Sequence, residues 1–196
     1  MKKVVWSSGL RLGAAVAIIA ASVSCGSLTR QGQAPSYLII ESLGGAPGAS
    51  TTFGGNLSSD VVTKNSVFSD NGQVQFLLAQ KDATSPTDPT SANFITVERY
   101  HVEYIRTDGH NIQGVDVPYA FDGAVTVTVA STATAVFTLV RVQAKEEAPL
   151  RALGGANQIV IATIAEVTFY GHDQTGHAVS VSGKISVSFA NFADPA

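Results

Sequence analysis

The chain has a single cysteine, Cys25, among its 196 residues. No disulfide can therefore staple one copy, and the fold must hold by burial. There is one tryptophan, Trp6, and one methionine, Met1. Charged residues are 14% of the chain, so a polar surface has to come largely from Ser, Thr, Asn and Gln. Basic residues are few, 12 Lys and Arg against 15 Asp and Glu, which excludes the basic footprint of a nucleic-acid binder. No apolar run reaches the ~20 residues a membrane-spanning helix needs. Catalytic signatures are missing as well. There is no Gly-x-Ser-x-Gly, no His-Glu-x-x-His and no Ser-x-x-Lys, and no Gly-Lys-Ser/Thr follows Gly44-Gly45 or Gly54-Gly55. The reading is of a non-enzymatic protein without a cofactor.

What is present begins with the N-terminus. Lys2, Lys3 and Arg11 supply positive charge, Leu12 to Val23 carry none, and Ser22-Val23-Ser24 lead into Cys25. This is the layout of a secretory signal. Ser22-x-Ser24 and Ala20-x-Ser22 also fit an ordinary cleavage site, which would release a soluble product. Ser24-Cys25, with Val23 before it, resembles the lipobox of bacterial lipoproteins, although Ser22 stands where that family prefers Leu, Val or Ile. The resemblance covers residues 1–25 and implies removal of 1–24, acylation of Cys25 and attachment to a bacterial membrane through lipid. Two acyl chains suffice for stable anchoring, at about 0.8 kcal/mol per buried CH₂. In the Gram-negative members an Asp after the cysteine marks inner-membrane retention. Gly26 stands there, so the resemblance implies the outer membrane if the source is Gram-negative. Processing leaves 9 of the 12 basic residues against all 15 acidic ones.

Residues 25–35 read as a flexible tether and 36–192 as one β domain. Val179, Val181, Ile185, Val187 and Phe189 alternate with Ser180, Ser182, Ser186 and Ser188, a half-buried strand with one wet face. Val125, Val127 and Val129 alternate with threonines, and Tyr100, Val102 and Tyr104 alternate with His101 and Glu103. Segments 135–142 and 159–169 are apolar on both faces and suit central strands. Asp70-Asn71-Gly72 predicts a hairpin turn between strands 61–68 and 73–81. Val115-Asp116-Val117 before Pro118 predicts a short edge strand. Seven to nine strands and no useful amphipathic helix give an all-β expectation. The preferred form is an antiparallel, Ig-like, Greek-key β-sandwich, with a barrel as the alternative.

Function is expected in loops. Three long connections, 43–58, 81–93 and 145–158, fall at one end of the sandwich if 115–121 is a strand. They would then form a tip for a small ligand or glycan. If 115–121 is not a strand, the 145–158 connection moves to the opposite end. The other reading is that all three are solvated linkers, and that the protein is an interaction or structural accessory with a protein partner at the envelope. His172, Asp173 and His177 around the last turn offer a thin transition-metal set. Asp108, Asn111 and Asp116 offer oxygen ligands without EF-hand spacing. Neither set is complete enough to assign a metal. Glu98 and Glu103, five residues apart in one strand, are expected on opposite faces. Of the tyrosines, Tyr37, Tyr100, Tyr104, Tyr119 and Tyr170 are candidates to stack on sugar rings.

Overall fold

The computed structural model describes residues 34–48, 50–82, 89–155 and 159–192. Cys25 and the signal segment lie outside them, as do 83–88 of the 81–93 connection. Eight strands form two sheets: β1 (Ser36–Ala46), β2 (Asn56–Asp60), β3 (Asp70–Gln80), β4 (Ile95–Ile105), β5 (Phe121–Val129), β6 (Thr132–Val140), β7 (Ile161–Asp173) and β8 (Ala178–Ala190). One sheet has the order β1-β3-β6 and the other β2-β8-β7-β4-β5. All pairings are antiparallel except β2 with β8. The all-β expectation holds. A five-residue helix, α1 (Val142–Glu146), and short 3₁₀ turns at Ser91–Asn93 and Leu150–Gly154 complete the described elements.

The period-two pattern decides which side chains meet. Val74, Phe76 and Leu78 of β3 and Phe137 and Leu139 of β6 point inward, onto Tyr100, Val102, Val167, Phe169, Ile185 and Val187 of the larger sheet. Four rings lock at the centre: Phe169 stands edge-on to Phe76 and Phe137 at 5.0 and 5.2 Å, and Tyr100 meets Phe137 at 5.0 Å. Such edge-to-face pairs add roughly 0.5–1.5 kcal/mol each beyond area burial.

Three sequence expectations are corrected. Asp70-Asn71-Gly72 is not a turn but the start of the continuous strand β3. Gly72 has extended backbone, and its missing side chain makes room for Phe137, since a Cβ there would come within 2.4 Å of the ring. Segment 61–68 is not a strand either. It doubles back at Lys64-Asn65, both in the left-handed region, with Thr63 and Ser66 exchanging backbone hydrogen bonds of 2.8 and 2.9 Å. Nor is 115–121 a strand. The Ile112 carbonyl accepts the N–H groups of Val115, Asp116 and Val117, winding the segment into a turn.

These changes relocate the loops. β1, β2, β4, β6 and β8 all finish at one end, where β3, β5 and β7 begin. The described residues of the 43–58 and 145–158 connections lie there with 106–120, and those of 81–93 lie at the other end. The three-loop tip does not form, because β3 runs straight through the expected turn. Both named connections are also shorter than read: β1 extends to Ala46, β2 begins at Asn56, and α1 and the second 3₁₀ turn occupy much of 142–154.

Gly72→Ala tests the strand reading. Overpacking against Phe137 is expected to lower stability by roughly 1–3 kcal/mol in urea unfolding. Wild-type stability would return Gly72 to a turn.

Candidate functional site

The end of the molecule bearing 47–55, 61–69, 106–120 and 141–160 is built over a buried ion pair. Lys145 Nζ lies 2.9 Å from Asp70 Oδ1, and both side chains are almost fully removed from solvent. The ammonium also donates to the Asp60 carbonyl at 2.7 Å. The carboxylate accepts from Gly48 N–H at 2.7 Å and from the Ser59 hydroxyl at 2.5 Å. One cluster thus ties β2, β3, α1 and the turn after β1. Asp60 extends it, taking the Thr63 hydroxyl at 2.8 Å and the Phe192 N–H at 3.0 Å. Nearby, the buried Tyr104 hydroxyl donates to the Leu139 carbonyl at 2.6 Å. Burial, and then the Asp70 charge, push this phenol above its ordinary pKa.

Three clefts open around this cluster. The largest, about 800 Å³, runs between the 106–120 loop and α1 and is lined by Gly114, Tyr119, Glu146, Glu147, Ala148, Arg151 and Ala152. A second of about 530 Å³ shares Glu146 and Arg151 and reaches Lys145 and Val61, Val62 and Val67. A third of about 320 Å³ is lined by Pro47, Gly48, Ser58, Asp60, Thr63, Phe68 and Phe192. Ligand sites fall within this size range. Tyr119 lies over Gly114, where a Cβ would sit 2.3 Å from its hydroxyl, so glycine is required for the ring to lie there. Tyr119, Ile112 and Val115 are exposed. Glu146, Glu147 and Arg151 are exposed too, and among the described residues their side chains make no ion pair.

The metal candidates go elsewhere. Asp173 is a buried turn anchor at the opposite end. Burial pushes its carboxyl up, but the Thr175 hydroxyl and the backbone and ring of His177 outweigh this and bring it to about 2. His172 does not converge on it as a ligand. Its Nδ1 donates to the Asp173 carbonyl at 2.9 Å, and its Nε2 faces Glu98 Oε1 at 3.0 Å. Two acceptors are best met by the imidazolium, and the pKa is raised, first by the carbonyl and then by Glu98. Asp108 pairs with Arg106, which lowers its pKa, and also accepts from His110 N–H at 3.1 Å. Asn111 accepts from Arg106 N–H at 2.6 Å, and Asp116 accepts from Ile112 N–H at 3.0 Å. Each oxygen serves its own turn. Among the described residues no group of three His, Cys, Asp or Glu could hold a metal ion.

The outer face of the larger sheet pairs its polar side chains with one another. His101 meets Asp122 at 3.2 Å, Thr168 meets Ser182 at 2.8 Å, Lys184 meets Glu166 at 3.0 Å, and Arg99 covers the Tyr170 ring at 4.3 Å. A cleft of about 260 Å³ beside Arg99 and Tyr170 is walled by these mutually engaged groups. Glu98 and Glu103 share this face. A bulge between Val97 and Arg99 adds a residue to β4, which corrects the expectation that they lie on opposite faces. Tyr100 and Tyr104 are core residues, whereas Tyr37 and Tyr119 are exposed.

Comparison with protein-family models, curated proteins and solved structures gives no match for the chain. No described helix is long and apolar enough to cross a membrane.

Lys145→Met would leave the Asp70 carboxylate buried without a counter-ion. The expected loss is about 3–5 kcal/mol in urea unfolding, and adding Asp70→Asn should recover part of it. A single variant within 1 kcal/mol of wild type would show that the cluster does not hold this end together.

Proposed function

We propose that the chain is an exported, non-enzymatic accessory of the bacterial envelope, lipid-anchored through Cys25, that binds a partner protein with its clefted end. The anchor rests on the N-terminal pattern ending in Ser24-Cys25. The binding role rests on one observation. The clefted end collects exposed apolar side chains, an exposed aromatic ring and unpaired charges around a cleft of about 800 Å³, whereas most charged groups on the outer face of the larger sheet pair with a neighbour. Aromatic and Arg side chains at the rim of a concavity are typical anchors of protein interfaces.

The domain is read as an Ig-like Greek-key sandwich. The split of the first strand supports this, with β1 on one sheet and β2 on the other, parallel to β8. So does the β5–β6 connection, which carries the chain from one sheet to the other. A second functional reading is a glycan site in the same cleft. Tyr119 favours it, because an open ring flanked by carboxylates and a guanidinium can stack on a sugar and bond its hydroxyls.

Crosslinking on whole cells tests the proposal. One stoichiometric partner is expected in the membrane fraction. Arg151→Glu or Tyr119→Ala should cut its yield at least about 10-fold, and Cys25→Ser should move the chain out of that fraction. An unchanged yield with both cleft variants refutes the protein-binding site. Glycan-array binding abolished by Tyr119→Ala would replace it with the second reading. Retention of Cys25→Ser in the membrane fraction refutes the anchor.

A further inference from the structure

We propose that the outer face of the β1-β3-β6 sheet is the surface through which two copies of this chain pair, face to face. The strand register sets out its rows. Tyr37 lies beside Ala79, and Ile39 beside Leu77 and then Thr132. Further along, Gln75 lies beside Thr134 and Gln73 beside Val136. None of these side chains is charged. Tyr37, Ile39 and Val136 are nevertheless 42%, 37% and 53% exposed, a large apolar content for a sheet face left to water. Its one acid, Glu41, is exposed at the β1 bulge between Ile40 and Ser42, on the edge strand of the sheet.

The contrast with the other sheet identifies the occupant. That face carries His, Asp, Glu, Lys and Arg, most of them engaged with a neighbour. The chain as a whole is acidic, with a formal charge of −3, so two copies approaching by most surfaces repel. The uncharged rows are where they meet without that cost, and a basic partner finds no charge there to read. Gln73 and Gln75 each carry a donor and an acceptor, so identical side chains across a two-fold axis can satisfy one another. The cluster of Tyr37, Ile39, Leu77 and Ala79 is compact enough to bury against its own copy. Strands of nine to eleven residues at ~3.3 Å per residue, three abreast and with their rims, present about 600 Å² per copy. Two copies would bury about 1,200 Å², the lower edge of a specific interface.

The test is sedimentation of the purified full chain from about 1 to 100 µM, carrying Cys25→Ser so that no acyl chain drives association. The mass should rise toward two copies with concentration. Ile39→Glu and, separately, Val136→Glu should each weaken pairing at least 30-fold, with circular dichroism unchanged because both positions are exposed. Lys184→Glu on the other sheet should pair like the parent. A chain that stays monomeric to 100 µM overturns the proposal, as does pairing that survives both glutamates. If it is monomeric and a photo-crosslinker at position 37 captures only a different protein, the face belongs to that partner and the second copy is refuted.

Discussion

A carboxylate and an ammonium taken out of water together hold the clefted end in place. Asp70 begins β3 and Lys145 belongs to α1, 75 residues on. Burying both charges costs several kcal/mol per ion before their attraction is counted. The offset is local: Gly48 and Ser59 donate to the acid, and the Asp60 carbonyl accepts from the base. Such a cluster specifies position more than it adds stability. Apolar side chains of similar volume could fill the same space, but they would not fix the turn at Gly48 against the start of β3. Glu146 stands where it does because α1 is pinned from below, and Arg151 follows it through its N–H to the Glu147 carbonyl at 2.8 Å.

The two sheets divide the remaining surface differently. The larger sheet spends its charges on cross-strand pairs, each modest because solvent screens it. The smaller sheet leaves tyrosine, isoleucine and valine in water beside Gln and Thr. With no disulfide available, stability rests mainly on the core buried between the sheets, with the edge-on rings at its centre.

Much of the body was legible in its periodicity. Inward Tyr100, Val102 and Tyr104, and the alternation along β8, follow from the two-residue repeat alone. The failures share a physical cause. Asp70-Asn71-Gly72 has the composition of a turn, yet Asp70 is there for Lys145 and Gly72 for the Phe137 ring. Both reasons are tertiary and leave no local trace. The turn at Lys64-Asn65 was missed because it contains no glycine. A bulge in β4 moved Glu98 to the face of Glu103, which a strict count of two cannot foresee. Of the site, Tyr119 was visible as one of five candidate tyrosines. Lys145 was hidden among ordinary loop residues, and a lysine next to Glu146-Glu147 gives no sign that it turns inward.

The buried pair can be observed directly. Heteronuclear NMR of the uniformly ¹⁵N-labelled chain near neutral pH should show one side-chain ammonium whose protons exchange slowly with water. That signal should be absent from Lys145→Met, because burial and the two contacts to the Asp60 carbonyl and the Asp70 carboxylate shield Nζ. If every lysine ammonium exchanges as fast as a free surface amine, Lys145 is in solvent. The end of the molecule is then not assembled on this pair.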